Sequence, residues 1–168
     1  MNGLLSATLV LTPTTAADLA YVCVLEKETT NSCYITPYSL ERHSQVLCSP
    51  DEAHFLVRER TDRPTLGFII LAGLAGDSFS LEIRRIVIEV KGKGYGRECL
   101  RLLKRYCFQV LGYHRLWLDG FEDNARALRL YRSEGFMEEG RLPHAVRHNG
   151  RNRSLLVLSM LKGEYIPA

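Results

Sequence analysis

Three glycines, Gly92, Gly94 and Gly96, alternate with Lys91, Lys93 and Tyr95, and Arg97 follows at once. Glycine lets the main chain approach an oxygen closely, because no Cβ intervenes. The amphipathic run that begins here supplies a helix N-terminus, whose first N–H groups have no carbonyl one turn back. With the helix dipole and the cations Lys91, Lys93 and Arg97, this stretch is built to hold an anion such as a phosphate. A Walker loop is excluded, since no G-x-x-x-x-G-K-[ST] occurs. A dinucleotide fingerprint is disfavoured: Arg97 stands where the last glycine of G-x-G-x-x-G belongs, although Asp119 ends the next strand where an acidic residue is expected.

Other chemistry-bearing residues carry less. His144 and His148 are four apart but fall in a loop or strand, where the rings need not converge, so no metal site is expected. The five cysteines are odd in number and lack C-x-x-C spacing, which suits reduced thiols in a cytosol. Cys99 and Cys107 lie on an apolar helical face and read as packing residues. Arg141, Arg147, Arg151 and Arg153 occur with no acidic residue between Gly140 and Gly163. They read as a solvated hairpin edge that discourages strand pairing, with attraction for an anionic partner (a phosphate, an acidic substrate surface or RNA) as the alternative.

The elements that must position these residues follow from periodicity. "ATLVLTP" is a strand, "TTAADLAYVCVLEKE" and "YSLERHSQVL" are helices, and "HFLVRER", "TLGFIILAGL" and "SLEIRRIVIEV" are strands separated by "TDRP" and "GDS" turns. Cys99, Leu102, Leu103, Tyr106, Cys107, Val110 and Leu111 form the apolar stripe of the helix after the glycines, with Arg97, Arg101, Lys104 and Arg105 on its wet side. "HRLWLDG" is a strand, and "NARALRLYRSEGF" is a helix capped by Asn124 and stopped by Gly135. The last segment is a hairpin turned at Asn149-Gly150. The order β-α-α-β-β-β-α-β-α-β-β is a mixed α/β domain, with antiparallel strands leading into one β-α-β unit. At 168 residues it is expected to be a single domain spanning 1–168. The net charge of +3 permits an anionic ligand without implying nucleic-acid binding. No run approaches the ~20 apolar residues of a membrane span; the N-terminus lacks a charged n-region before a long apolar core, so no secretory signal and a cytoplasmic protein are expected.

"KGKGYG", followed by "HRLWLDGFEDNARALRLYRSEGF", resembles the GNAT N-acetyltransferase superfamily, whose Gln/Arg-x-x-Gly-x-Gly/Ala loop binds the pyrophosphate of acetyl-CoA. The closing hairpin is similar to that of members acting on ribosomal-protein N-termini or spermidine. Lys91 departs from the usual Gln or Arg. The resemblance implies a predominantly antiparallel central sheet whose parallel β-α-β unit is splayed to admit CoA. It implies main-chain contacts to the cofactor from Val87, Ile88 and Val90, and a pyrophosphate site over Lys91, Gly92, Lys93, Gly94, Tyr95, Gly96 and Arg97. Asn124 is implied to touch the pantetheine arm.

Acetyl transfer to an amine requires a neutral nucleophile, stabilisation of an oxyanion, and a proton for the departing thiolate. The Leu-Tyr of the family implies Tyr131 as the acid. Glu82 and Asp119 are the two candidates for the base, unless solvent serves, and either is alternatively an ion-pair partner of Arg84, Arg85 or Arg115. The partners implied are acetyl-CoA and a primary amine, whether a protein N-terminus, a polyamine or another small amine. The acceptor loops are Thr29 to Pro37 and Pro143 to Arg151. A homodimer is frequent in the superfamily, and a non-catalytic acyl-CoA sensor is the alternative reading.

Overall fold

A computed structural model describes residues 4–61 and 64–167. Eight strands form one sheet: β1 (Leu4–Leu5), β2 (Leu9–Pro13), β3 (Glu52–Glu59), β4 (Thr65–Ala72), β5 (Ser80–Ile88), β6 (Arg115–Phe121), β7 (Met137–His148) and β8 (Arg151–Leu161). Five α-helices accompany them: α1 (Leu19–Lys27), α2 (Thr29–Ser32), α3 (Leu40–Cys48), α4 (Tyr95–Arg105) and α5 (Ala125–Ser133). The strand order is β1-β2-β3-β4-β5-β6-β8-β7, antiparallel throughout except for β5–β6. The expected elements are all present. β1 and α2 are additions, both too short for a periodic pattern. The expected "TDRP" turn falls partly on residues 62–63, outside the described residues.

The sheet carries helices on both faces. Val22, Leu25 and Val46 from α1 and α3 pack on Leu56, Phe68, Ile70 and Val87. On the other face, Cys99, Leu100, Leu102 and Leu103 of α4 and Leu128 and Tyr131 of α5 cover Ile69, Leu71, Leu81 and Ile83. β4 is central and buried on both sides, which explains its unbroken apolar run.

Two departures from helical periodicity matter. One turn of π-helix, Tyr106–Val110, follows α4, with the Leu111 N–H donating to the Tyr106 carbonyl at 2.9 Å. The wider turn carries Phe108 into the core and leaves Val110 exposed, so Val110 is not part of the apolar stripe. Lys104 is not on the wet side either. It is buried and donates to both the Glu134 carboxylate and carbonyl, each at 2.9 Å.

The feature that makes the site lies between β5 and β6. Their parallel pairing covers only Ser80↔Arg115, Leu81↔Leu116 and Glu82↔Trp117. Beyond it, β5 continues to Ile88 beside β4, and β6 turns onto β8. The two strands therefore splay. At the same place β5 bulges, because Ile70 pairs with Arg85 while the next residue of β4, Leu71, pairs with Ile83. Arg84 is the extra residue, and it inverts the alternation of every side chain after it.

Candidate active site

The splay opens a cleft of about 390 Å³. Glu82 and Val87 contribute from β5, Asp119 and Gly120 from β6, Asn124 and Tyr131 from the α5 segment, and Lys91 from the glycine loop. A second groove of about 290 Å³ adjoins it, lined by Ile88, Val90, Lys91, Gly92, Gly94, Tyr95, Gly96, Arg97 and again Tyr131. Of the residues expected at the site, Lys93 alone lines neither space.

The glycine loop has the geometry of an anion cradle. Gly92 and Gly94 hold φ of 78° and 85°, in the left-handed region, and Gly94 caps the start of α4. A Cβ placed on either would meet nothing within 4 Å, so the space above the loop is open. At Gly96 a Cβ would come within 3.3 Å of Leu130, and glycine here lets α4 and α5 draw close. The loop's free N–H groups and open surface fit a pyrophosphate. The Lys91 ammonium is tied to protein groups beside that space. Its Nζ donates to the Ile88 carbonyl and, at 2.6 Å, to Asn31 Oδ1, and burial lowers its pKa.

Ladder geometry decides which β5 amides face the splay. The Glu89 N–H donates to the Leu66 carbonyl at 2.7 Å, so by alternation the Val87 N–H also points to β4. The polar groups of Ile86 and Ile88 point into the cleft, as the Lys91–Ile88 contact confirms for Ile88. Val87 thus turns its amide to β4 and packs its side chain with Val22, Leu25 and Val46.

Tyr131 is 8% exposed and packs against Phe136 with ring centroids 6.3 Å apart. Its hydroxyl has no hydrogen-bond partner among the described residues. Burial, assisted by the charge of Asp119, pushes its pKa up to about 12. Asp119 lines the cleft with its side chain exposed to solvent. Desolvation raises its pKa, the Glu82 charge adds to this, and Arg84 and Arg85 oppose it. Glu82 is differently placed, since Arg84 Nη2 lies 2.7 Å from its Oε2 and Nη1 lies 2.6 Å from Glu52 Oε1. Asn124 caps α5, accepting from the Ala127 N–H at 3.3 Å.

The two loops expected to hold the acceptor also meet here. His148 Nε2 donates to the carbonyls of Ser32 and Ile35 at 2.8 and 3.1 Å, and Arg153 Nη1 donates to that of Cys33 at 2.6 Å. Two members of the basic hairpin are therefore fasteners that close the loop after α2 over the cleft. Arg85 was legible only as a salt-bridge partner. The bulge turns it onto the α1/α3 face, where it meets Glu26 and lies 3.9 Å from the centroid of Tyr38. Beneath it runs a buried polar chain: Glu26 to His43 at 3.1 Å, His43 to His54 at 3.2 Å, and His54 to Thr14 at 2.9 Å. The spacing of these residues along the chain carries no signal of it. Among the described residues no group of three His, Cys, Asp or Glu could hold a metal ion.

The profile described as "Acetyltransferase (GNAT) domain" matches residues 8–137. The spermidine N(1)-acetyltransferase of Vibrio cholerae serotype O1 is 29% identical over 116 residues, which cover 68% of this chain. That stretch spans 66% of the curated relative, just under two thirds of its length. A crystal structure of spermidine N-acetyltransferase from Vibrio cholerae, in complex with CoA and spermine, superposes with a TM-score of 0.84 at 25% identity, covering 95% of this chain and 98% of that one. A probable GNAT-family acetyltransferase from Chromobacterium violaceum shares the fold, with a TM-score of 0.84 at 24% identity over 96% of this chain and 87% of that one. With the splayed strands, the bulge and the glycine loop all in one sheet, the chain belongs to the GNAT acetyltransferase family, whose acyl donor is acetyl-CoA.

Proposed function

We propose that the protein is an acetyl-CoA-dependent N-acetyltransferase that transfers acetyl directly to a primary amine held in the same cleft. The observation that carries this reading is the position of Tyr131, a buried phenol without a partner that lines both the cleft and the adjoining groove. The glycine loop and the N-terminus of α4 would hold the pyrophosphate, and the cleft-facing edge of Ile86 and Ile88 would align the pantetheine arm. Bound there, acetyl-CoA supplies the activated acetyl group.

The chain's own residues then manage protons. Tyr131 keeps its proton at neutral pH and is placed to give it to the departing sulfur. Asp119 is our choice of base over Glu82. Its carboxylate has no ion-pair partner among the described residues, and desolvation raises its pKa. Glu82 is held by Arg84. No cysteine is set up as a nucleophile: burial pushes the Cys99 and Cys107 thiols up to about 12, which favours direct transfer over an acyl-enzyme.

The five unpaired cysteines support a reducing cytoplasm as its setting. One acetyltransferase domain over 1–168 and a homodimer belong to the proposal on family resemblance alone. The test is CoA release from acetyl-CoA across a panel of amines. Turnover supports the enzyme, whereas tight acetyl-CoA binding with no turnover on any amine would show a sensor instead.

A further inference from the structure

We propose that Arg85 is a specificity-determining residue that reads an oxygen adjoining the reacting amine, so that the acceptor is an α-amino-acyl group and not a polyamine. This rests on the acetyl-transfer reading of the same cleft.

The side chain of Arg85 is 9% exposed and lines the cleft. Nη1 is consumed by Glu26 and by the Thr36 carbonyl at 3.0 Å. Nε is enclosed without an acceptor. Nη2 has none among the described residues either and is not enclosed, which leaves it as the donor open to a ligand in the cleft that Arg85 lines. A guanidinium held this rigidly is a directed donor that wants a carbonyl or carboxylate oxygen. Its orientation is secured from below, because Glu26 also accepts from the Tyr38 N–H at 2.7 Å and Tyr38 covers the guanidinium face.

The surroundings are poorly suited to a substrate with several ammonium groups. Among the cleft's charged side chains, Arg84 is paired with Glu82 and Glu52 and Arg85 with Glu26, which leaves Lys91 and Arg126 against Asp119. Glu82 is already neutralised by Arg84, so Asp119 is the one carboxylate left for a cation. Loop carbonyls that could solvate an ammonium each already accept one hydrogen bond from a side chain: Ser32 and Ile35 from His148, Cys33 from Arg153, and Thr36 from Arg85. An α-amino-acyl acceptor matches both halves of this arrangement, with its amine beside Asp119 and its oxygen on Arg85.

The test measures kcat/KM by CoA release with acetyl-CoA and four acceptors: an alanyl tripeptide, alanine, isopropylamine and spermidine. The tripeptide or alanine should exceed both isopropylamine and spermidine by about 10-fold or more, the range of a hydrogen bond to a charged group. Preference for the tripeptide identifies a carbonyl as the partner, and preference for alanine identifies a carboxylate. In Arg85→Lys, which keeps a cation beside Glu26 but removes the fork, the ratio of the better α-amino-acyl acceptor to isopropylamine should fall about 10-fold. Reading a ratio within one variant removes the effect of any loss of folded protein. Spermidine as the preferred acceptor, or a ratio unchanged in Arg85→Lys, overturns the role of Arg85 and leaves acetyl transfer standing. No CoA release with any amine overturns both.

Discussion

Arg84 bridges two carboxylates, with Nη2 2.7 Å from Glu82 and Nη1 2.6 Å from Glu52, so that Glu82 meets the cleft already held in an ion pair. Asp119, across the splay, has cations nearby but no such pair, and its pKa is raised by burial and by Glu82. The two acids that looked equivalent along the chain thus differ in their partners, Glu82 being ion-paired and Asp119 not.

Asp119→Asn should therefore lower kcat by about 100-fold and flatten its rise between roughly pH 6 and 9, the signature of a lost general base. Glu82→Gln should keep that pH profile. A steep profile retained in Asp119→Asn would return the role to Glu82 or to solvent.

Tyr131→Phe removes one oxygen from a ring that stays packed against Phe136. The expected result is a fall in kcat of about 100-fold, in the usual range for a general acid. Acetyl-CoA affinity, measured by calorimetry, should hardly move. An unchanged kcat would remove Tyr131 from the chemistry.

Glu134 anchors α5 to α4 through Arg97 at 2.6 Å, Arg101 at 3.2 Å and Lys104 at 2.9 Å. Arg97 and Arg101 can return to water when it is removed, but Lys104 is left buried without its carboxylate. Glu134→Ala should cost about 3 kcal/mol in urea unfolding, most of it from that stranded ammonium. A loss below about 0.5 kcal/mol would mean that Lys104 finds water.

His54 is 5% exposed, and burial, with the neighbouring His43 adding to it, lowers its pKa from 6.5 to about 4. The folded state thus refuses a proton that the unfolded chain accepts between those values. The stabilisation is complete above pH 6.5 and is lost as the pH falls towards 4, by about 3 kcal/mol from this group. Urea unfolding of the wild type at pH 7 and pH 5 should show most of this difference. His54→Asn should be less sensitive to pH over the same window.

Local chemistry was legible in the chain. Asn149-Gly150 makes its turn with φ of 50° and 76°, because two left-handed residues match the twist of a hairpin. Asn124 caps α5, and Gly135, with φ of 91°, ends it. The glycine loop opens α4 as expected, since small residues and a helix start act within a few residues of each other. What lay beyond the sequence is whatever depends on partners distant along the chain. The phase change of β5 at Arg84 requires β4 beside it, and it alone turns Arg85 toward the loop after α2. The ion pair that silences Glu82, the carbonyls tied down by His148 and Arg153, and the burial of Lys104 on Glu134 all join residues from separate elements. The sequence by itself determined where backbone groups would be left unpaired, because that is a property of neighbouring residues. Only the tertiary structure decided which charges face the cleft unpaired, because a charge is neutralised by whatever folding brings beside it.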